Sequence, residues 1–181
     1  IEDGEVVILE PDAVRIVAVA DGAPVERAPR LVSDDMGTSE KGGYAHFMLK
    51  EIHEQPAAAR DLLHLLEASE YAPRMGEALR GAARLFLVGS GSSFHACTLG
   101  SAFWSRLAGA LAIPVLPQQF IEQYGAALRP GDVALYVSQS GETKDVLNAL
   151  AFASPRGVTA LGLVNVLGST LTRKVSLYLP L

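Results

Sequence analysis

Cysteine is almost absent. Cys97 stands alone in 181 residues, so no intrachain disulfide and no cysteine-built zinc site can form. That usage fits a reducing compartment and is read as cytoplasmic. Basic charge is also short, with a formal net charge of −5, which argues against nucleic acid as a partner. No uninterrupted apolar run reaches the ~20 residues of a membrane helix, and no signal-peptide pattern is visible. A membrane partner is therefore not expected. No Gly-Lys-Ser/Thr occurs, which excludes a P-loop, and no Gly-x-Ser-x-Gly, which leaves a hydrolase elbow unsupported. Gly89-Ser-Gly91 begins like a dinucleotide fingerprint, but Phe94 occupies the place of the third glycine. The histidines His46, His53, His64 and His95 lack metal-ligand spacing, so no metal is expected.

What remains is a chain able to build a core: 49% of residues are apolar and 19% charged, a globular composition. Its most informative stretch is Ser138-Gln-Ser-Gly-Glu-Thr143. The apolar run Asp132–Val137 precedes it and the helix-like run Lys144–Ala153 follows. Strand, hydroxyl-rich loop and helix therefore succeed one another. The loop holds no lysine or arginine, so an anion there would meet neutral donors and the unpaired N–H groups of a helix start. Phosphate oxygens, which only accept hydrogen bonds, suit that chemistry.

The design recurs. Leu85–Val88 reads as a buried strand, Gly89-Ser-Gly-Ser-Ser93 as the loop and Phe94–Leu107 as a helix. A weaker copy runs through Ala160–Val164, Asn165–Ser169 and a short helix to Lys174. Either serine loop alone reads equally as a capped turn. Two at successive strand ends favour a ligand, because parallel sheets bind outside the carboxyl ends of their strands. The fold class expected is α/β, a three-layer α/β/α domain whose strands start near Leu85, Pro114, Val133 and Ala160. The helices from Phe94 and Thr143 should bring their N-termini to one shared pocket. His95 reads as a pocket-lining residue before a general base, and Cys97 and Trp104 as packing.

Upstream, Glu5–Leu9 and Val14–Val19 read as a hairpin around Pro11-Asp12. Two strands alone hold no core, so the hairpin is expected to belong to a larger, missing unit. Boundaries are set at 1–30 for this hairpin, 31–45 for a turn-rich linker and 46–181 for the sheet domain. Helical periodicity begins near Tyr44, with a kink or a break expected at Pro56. The chain lacks an initial methionine and ends on Leu177-Tyr-Leu-Pro-Leu181, and it is read as a fragment.

Ser138–Thr143 and Gly91-Ser-Ser93 resemble the two sugar-phosphate loops of the sugar isomerase (SIS) domain. Glu40-Lys-Gly-Gly-Tyr44, His46–Ile52 and Glu54-Gln-Pro56 resemble, more specifically, the glutamine–fructose-6-phosphate aminotransferase (isomerizing) family. Asn165-Val and Gly168-Ser169 also match its pattern. The resemblance implies an enzyme that hydrolyses glutamine in one domain. It passes the ammonia to fructose 6-phosphate in another, yielding glucosamine 6-phosphate. It implies no cofactor, a homo-oligomeric parent, and sugar-phosphate contacts at Ser92, Ser93, Ser138, Gln139, Ser140 and Thr143. It places no catalytic residue in this stretch. Residues 1–30 would then close the glutaminase domain. Departures from the pattern stand at Ser90, His95 and Gln118-Gln119-Phe120. Two alternatives stay open: a non-catalytic SIS sugar-phosphate sensor, and another SIS phosphosugar isomerase or deglycase. A regulator would carry a basic DNA-binding segment in front, whereas residues 1–45 hold more acidic than basic side chains.

Overall fold

The structure, a computed structural model, describes residues 1–28 and 40–181. Of the expected linker, 31–45, residues 31–39 lie outside the described residues. The chain divides into two compact units, Ile1–His53 and Glu54–Leu181.

In the first unit β1 (Glu5–Glu10) and β2 (Ala13–Ala18) pair antiparallel, with Glu5 opposite Ala18 and Glu10 opposite Ala13. The two-residue connection Pro11-Asp12 closes the hairpin. Arg27 adds exposed ion pairs to Glu5 and Glu2. Farther along, His53 stacks on Tyr44 at 5.3 Å between ring centroids, and Lys50 Nζ donates to the Glu40 carbonyl at 2.7 Å.

Helix α1 (Phe47–Ala68) runs unbroken through Pro56. Of the two sequence expectations at that proline, the break is excluded. One proline removes a single donor, and full turns on either side keep the helix whole. The boundary between the units falls inside α1.

The second unit is built on a five-stranded, all-parallel sheet. Its elements are α2 (Tyr71–Arg80), β3 (Arg84–Gly89), α3 (Ser92–Phe103), β4 (Ala112–Val115), α4 (Pro117–Gln119), β5 (Asp132–Ser138), α5 (Lys144–Ala153), β6 (Thr159–Val164), α6 (Thr170–Lys174) and β7 (Leu177–Pro180). The strand order is β4-β3-β5-β6-β7. In register, Leu85 faces Ala112 on one side and Val133 on the other.

Alternation along the strands feeds two cores. Phe86, Val88, Ala134 and Tyr136 pack with Val146, Ala149 and Leu150 of α5 and with Leu171 of α6. Leu85, Leu87, Val133 and Leu135 pack with Cys97 of α3 and Met75 of α2. Burial on both faces is why these strands read as continuous apolar runs rather than alternating ones. The expected three-layer α/β/α architecture is therefore present, with an antiparallel hairpin ahead of it.

Two features escaped the sequence reading. Helix α3 ends at Phe103 and passes into a π-turn at Trp104–Ala108. Between β4 and β5 a chain of short helical turns covers Pro117–Ala127. It delivers Phe120, fully buried, edge-on against Phe86 at 5.1 Å.

Candidate functional site

The strand order decides where a site can be. From β3 the chain moves outward to β4, then crosses back past β3 to β5. The connections leaving β3 and β5 thus depart in opposite directions, and a crevice opens between them at the carboxyl edge. The two serine-rich loops are these connections. Gly89 and Val137 are register partners on the adjacent strands, so both loops start from neighbouring points on that edge.

The shared-pocket expectation is met only as to the edge. Helix α3 packs on one face and α5 on the other. Neither of two cavities elsewhere in the molecule is lined by the loops. One lies against the hairpin. The other, of about 150 Å³, lies under α3 among Leu87, Cys97, Trp104 and Leu135.

The first loop is tight for a steric reason. A Cβ on Gly89 would sit 3.0 Å from the Ser93 carbonyl carbon, so only glycine lets the strand end approach the helix start. Gly91, at φ +57°, turns the chain into α3. The amides of Ser93 and Phe94 are taken by the carbonyls of Ser90 and Gly91, both at 3.1 Å. Ser92 is exposed and Ser93 half-buried. Helix α3 starts at Ser92, two residues ahead of the Phe94 expected. His95 is exposed in that first turn, and no metal-binding cluster exists among the described residues.

The second loop is braced from within. Ser138 Oγ, in a buried residue, accepts from the Gly141 N–H at 3.0 Å and shares a proton with Thr143 Oγ1 at 3.1 Å. Ser140 Oγ accepts from the Glu142 N–H at 3.1 Å. Of the three hydroxyl protons, one is spent between Ser138 and Thr143, and two are left for an outside acceptor. Gln139 is exposed, and Ser140 and Thr143 are half-buried. Ser138 is thus chiefly a brace, while Gln139 and Ser140, and Thr143 where Ser138 donates to it, keep donors that the loop does not use.

This loop is also tied to its neighbour, the β6–α6 connection. Val166 N–H donates to the Gln139 carbonyl at 3.1 Å, Leu171 N–H to the Gly141 carbonyl at 3.0 Å, and Thr170 N–H to Glu142 Oε1 at 2.7 Å. The Thr170 N–H and the Thr170 side chain, helped by the positive charge of Arg173, hold the Glu142 carboxyl below its ordinary range. None of these cross-links was legible in sequence.

At the opposite edge, Asp132 is fully buried and Arg84 grips it with Nε at 2.8 Å and Nη2 at 2.6 Å. Burial alone would raise the Asp132 carboxyl. The Arg84 bonds and the Arg129 N–H overcome that and hold it low. This pair lies at the amino ends of β3 and β5, away from the loops, and is structural. Burial pushes the Cys97 thiol up to about 11, which makes it a poor nucleophile.

Comparison with known proteins agrees with this geometry. The SIS domain model matches residues 78–180. Glutamine–fructose-6-phosphate aminotransferase [isomerizing] of Methanothermobacter thermautotrophicus is 40% identical over 176 residues, 96% of this chain and 28% of the relative. Its namesake in Aeropyrum pernix is 38% identical over 190 residues, 99% of this chain and 30% of the relative. The chain thus spans under a third of the length of these curated relatives. Among solved structures, the C-terminal domain of glucosamine-fructose-6-phosphate aminotransferase from Francisella tularensis superposes with a TM-score of 0.67 at 25% identity. The match covers 78% of this chain and 41% of that one. The sugar isomerase domain of an RpiR transcription factor from Sphaerobacter thermophilus shares the fold, with a TM-score of 0.57 at 23% identity, covering 70% of this chain and 75% of that one. On the extent of the family match, more than half its length, the chain belongs to the SIS domain family.

Proposed function

We propose that this chain is the sugar-phosphate-binding segment of a glutamine–fructose-6-phosphate aminotransferase, and that its two serine loops hold the phosphate of fructose 6-phosphate or glucosamine 6-phosphate. The observation that carries the reading is the placement of both loops at the topological switch between β3 and β5, with unspent hydroxyl protons in the second loop. Ser92, Ser93, Gln139, Ser140 and Thr143 are the donors, with Ser138 holding the loop in shape. No metal or organic cofactor enters this reading.

The parent would use glutamine nitrogen to convert fructose 6-phosphate into glucosamine 6-phosphate, as a homo-oligomer in the cytoplasm. Within it, residues 1–30 close the glutaminase domain, 31–45 link, and 46–181 begin the first SIS domain. Glutamine hydrolysis and sugar isomerisation are performed by residues outside this stretch, so this chain by itself turns over neither substrate.

Calorimetry with fructose 6-phosphate tests the phosphate reading. A hydroxyl bonded to a charged phosphate is worth roughly 1.5–3 kcal/mol, about ten- to a hundredfold in affinity. Ser140→Ala and Thr143→Ala should weaken fructose 6-phosphate by that factor and keep the fold, and unphosphorylated fructose should bind poorly to the unaltered protein. Equal affinities in wild type and Ser140→Ala would mean that the loop is only a turn.

A further inference from the structure

Helix α6 is capped from a distance. Ser169 occupies its N-cap position yet makes no capping bond. Its hydroxyl turns to Thr172 Oγ1 instead. The Thr170 amide, which a local cap would ordinarily leave to solvent or satisfy by itself, is taken by Glu142, 28 residues earlier. Glu142 is exposed, so neither burial nor packing accounts for its position. Its own amide, in turn, is held by the Ser140 hydroxyl oxygen. One residue therefore connects the β6–α6 loop, through its carboxylate, to the Ser140 hydroxyl, through its backbone.

The other two ties between these loops are backbone to backbone, at Gln139–Val166 and Gly141–Leu171. They depend on no side chain. Glu142 supplies the tie made by a side chain, and its own backbone N–H is the one that Ser140 Oγ accepts. With the Glu142 N–H donating to it, the Ser140 oxygen has one of its two lone pairs committed, and its proton remains available to an acceptor.

We infer that Glu142 is a positioning residue for anion binding: by clasping the Thr170 N–H it fixes the Ser140 hydroxyl for a phosphate oxygen at the carboxyl edge of the sheet. This rests on the phosphate reading of the Ser138–Thr143 loop. It also makes a prediction opposite in sign to simple electrostatics. Removing an exposed negative charge beside an anion site should tighten anion binding. Loss of a positioning clasp should loosen it.

Three substitutions separate the effects in the chain as it stands. Glu142→Asp keeps the charge and shortens the reach. Glu142→Gln keeps the reach and an accepting oxygen but drops the charge. Glu142→Ala removes both. Fructose 6-phosphate and inorganic phosphate are the probes, titrated by NMR, with amide exchange of Thr170 followed in the unliganded protein. Losing one net hydrogen bond predicts about three- to tenfold weaker binding for Glu142→Asp, together with faster exchange at Thr170. Glu142→Gln should bind at least as tightly as wild type and keep Thr170 protected. Should Glu142→Ala fail to fold, Asp and Gln alone decide the matter. Wild-type affinity in Glu142→Asp, or tighter binding in Glu142→Ala, overturns the inference. If Ser140→Ala also binds like wild type, the phosphate reading falls with it. If Ser140→Ala binds weakly while Glu142→Asp does not, only the role of Glu142 falls.

Discussion

Gly141 is where a single methyl group tests the packing of the two loops. Its φ is +66°, and a Cβ built there would sit 2.6 Å from Ser169 Cβ and 3.0 Å from Val164 Cγ1, colliding also with Ser169 Oγ. The left-handed backbone alone costs alanine about 1–2 kcal/mol. The overlap adds about 1–3 kcal/mol, the usual range for overpacking a filled site. Ser169 cannot simply rotate away, because its Cβ, and not only its hydroxyl, is in the path, and the residue is buried at the start of α6. Gly168 is the matched control: its φ is +74°, but nothing lies within 4 Å of a Cβ there. Both substitutions remove the same flexibility from the unfolded chain, so that effect cancels in the comparison. Urea unfolding followed by fluorescence of the single tryptophan, Trp104, should rank Gly141→Ala below Gly168→Ala by about 1–3 kcal/mol with unchanged m. Adding Ser169→Gly to Gly141→Ala should recover most of that difference as a coupling energy. Equal costs at the two glycines, within about 0.5 kcal/mol, would refute the claim that the loops are in hard contact.

Other substitutions probe the frame around the site. Asp132→Ala should cost about 3 kcal/mol, the low end for breaking a buried pair because Arg84 keeps some solvent access. Asp132 has a folded pKa below its unfolded one. Its contribution is therefore complete above the ordinary aspartate range and is lost as pH falls through the folded value. An acid titration of wild type should show this below about pH 4, and Asp132→Ala should flatten it. Phe120→Ala removes a fully buried ring from between Phe86 and Tyr136 and should cost about 3–5 kcal/mol in the same urea assay. Cys97 should resist thiol reagents in the native protein at neutral pH and react at once on unfolding. Fast native labelling would contradict its burial and its raised pKa.

How far the sequence reaches can be seen strand by strand. The runs at Leu85, Val133 and Ala160 announced β3, β5 and β6 because each is buried on both faces and apolar throughout. Local hydroxyl and glycine clusters marked the loops, and α5 (Lys144–Ala153) was located to within a residue. Strand order was not legible, because which strand neighbours β3 is a matter of non-local pairing. For that reason α3 and α5 could be located in sequence but not assigned to opposite faces. Pro117–Ala127 was missed since its turns are only three to five residues each and show no period. The pairs Arg84–Asp132 and Glu142–Thr170 join residues 48 and 28 apart, and no local pattern announces either.

That last gap explains why a serine-rich turn and an anion site look alike in sequence. A loop without a cation cannot rely on net charge, so its affinity must come from donors oriented before the ligand arrives. Ser138 and Ser140 are oriented by the amides of Gly141 and Glu142, which the motif itself supplies. The motif does not supply what holds those amides still: Val166, Thr170 and Leu171 from the next connection. A free turn would have the same six residues and none of these ties. The structural difference between the two cases therefore resides in the backbone N–H groups of the β6–α6 connection, and removing one of them, as Val166→Pro would, should weaken anion binding without touching any residue of the Ser138–Thr143 stretch.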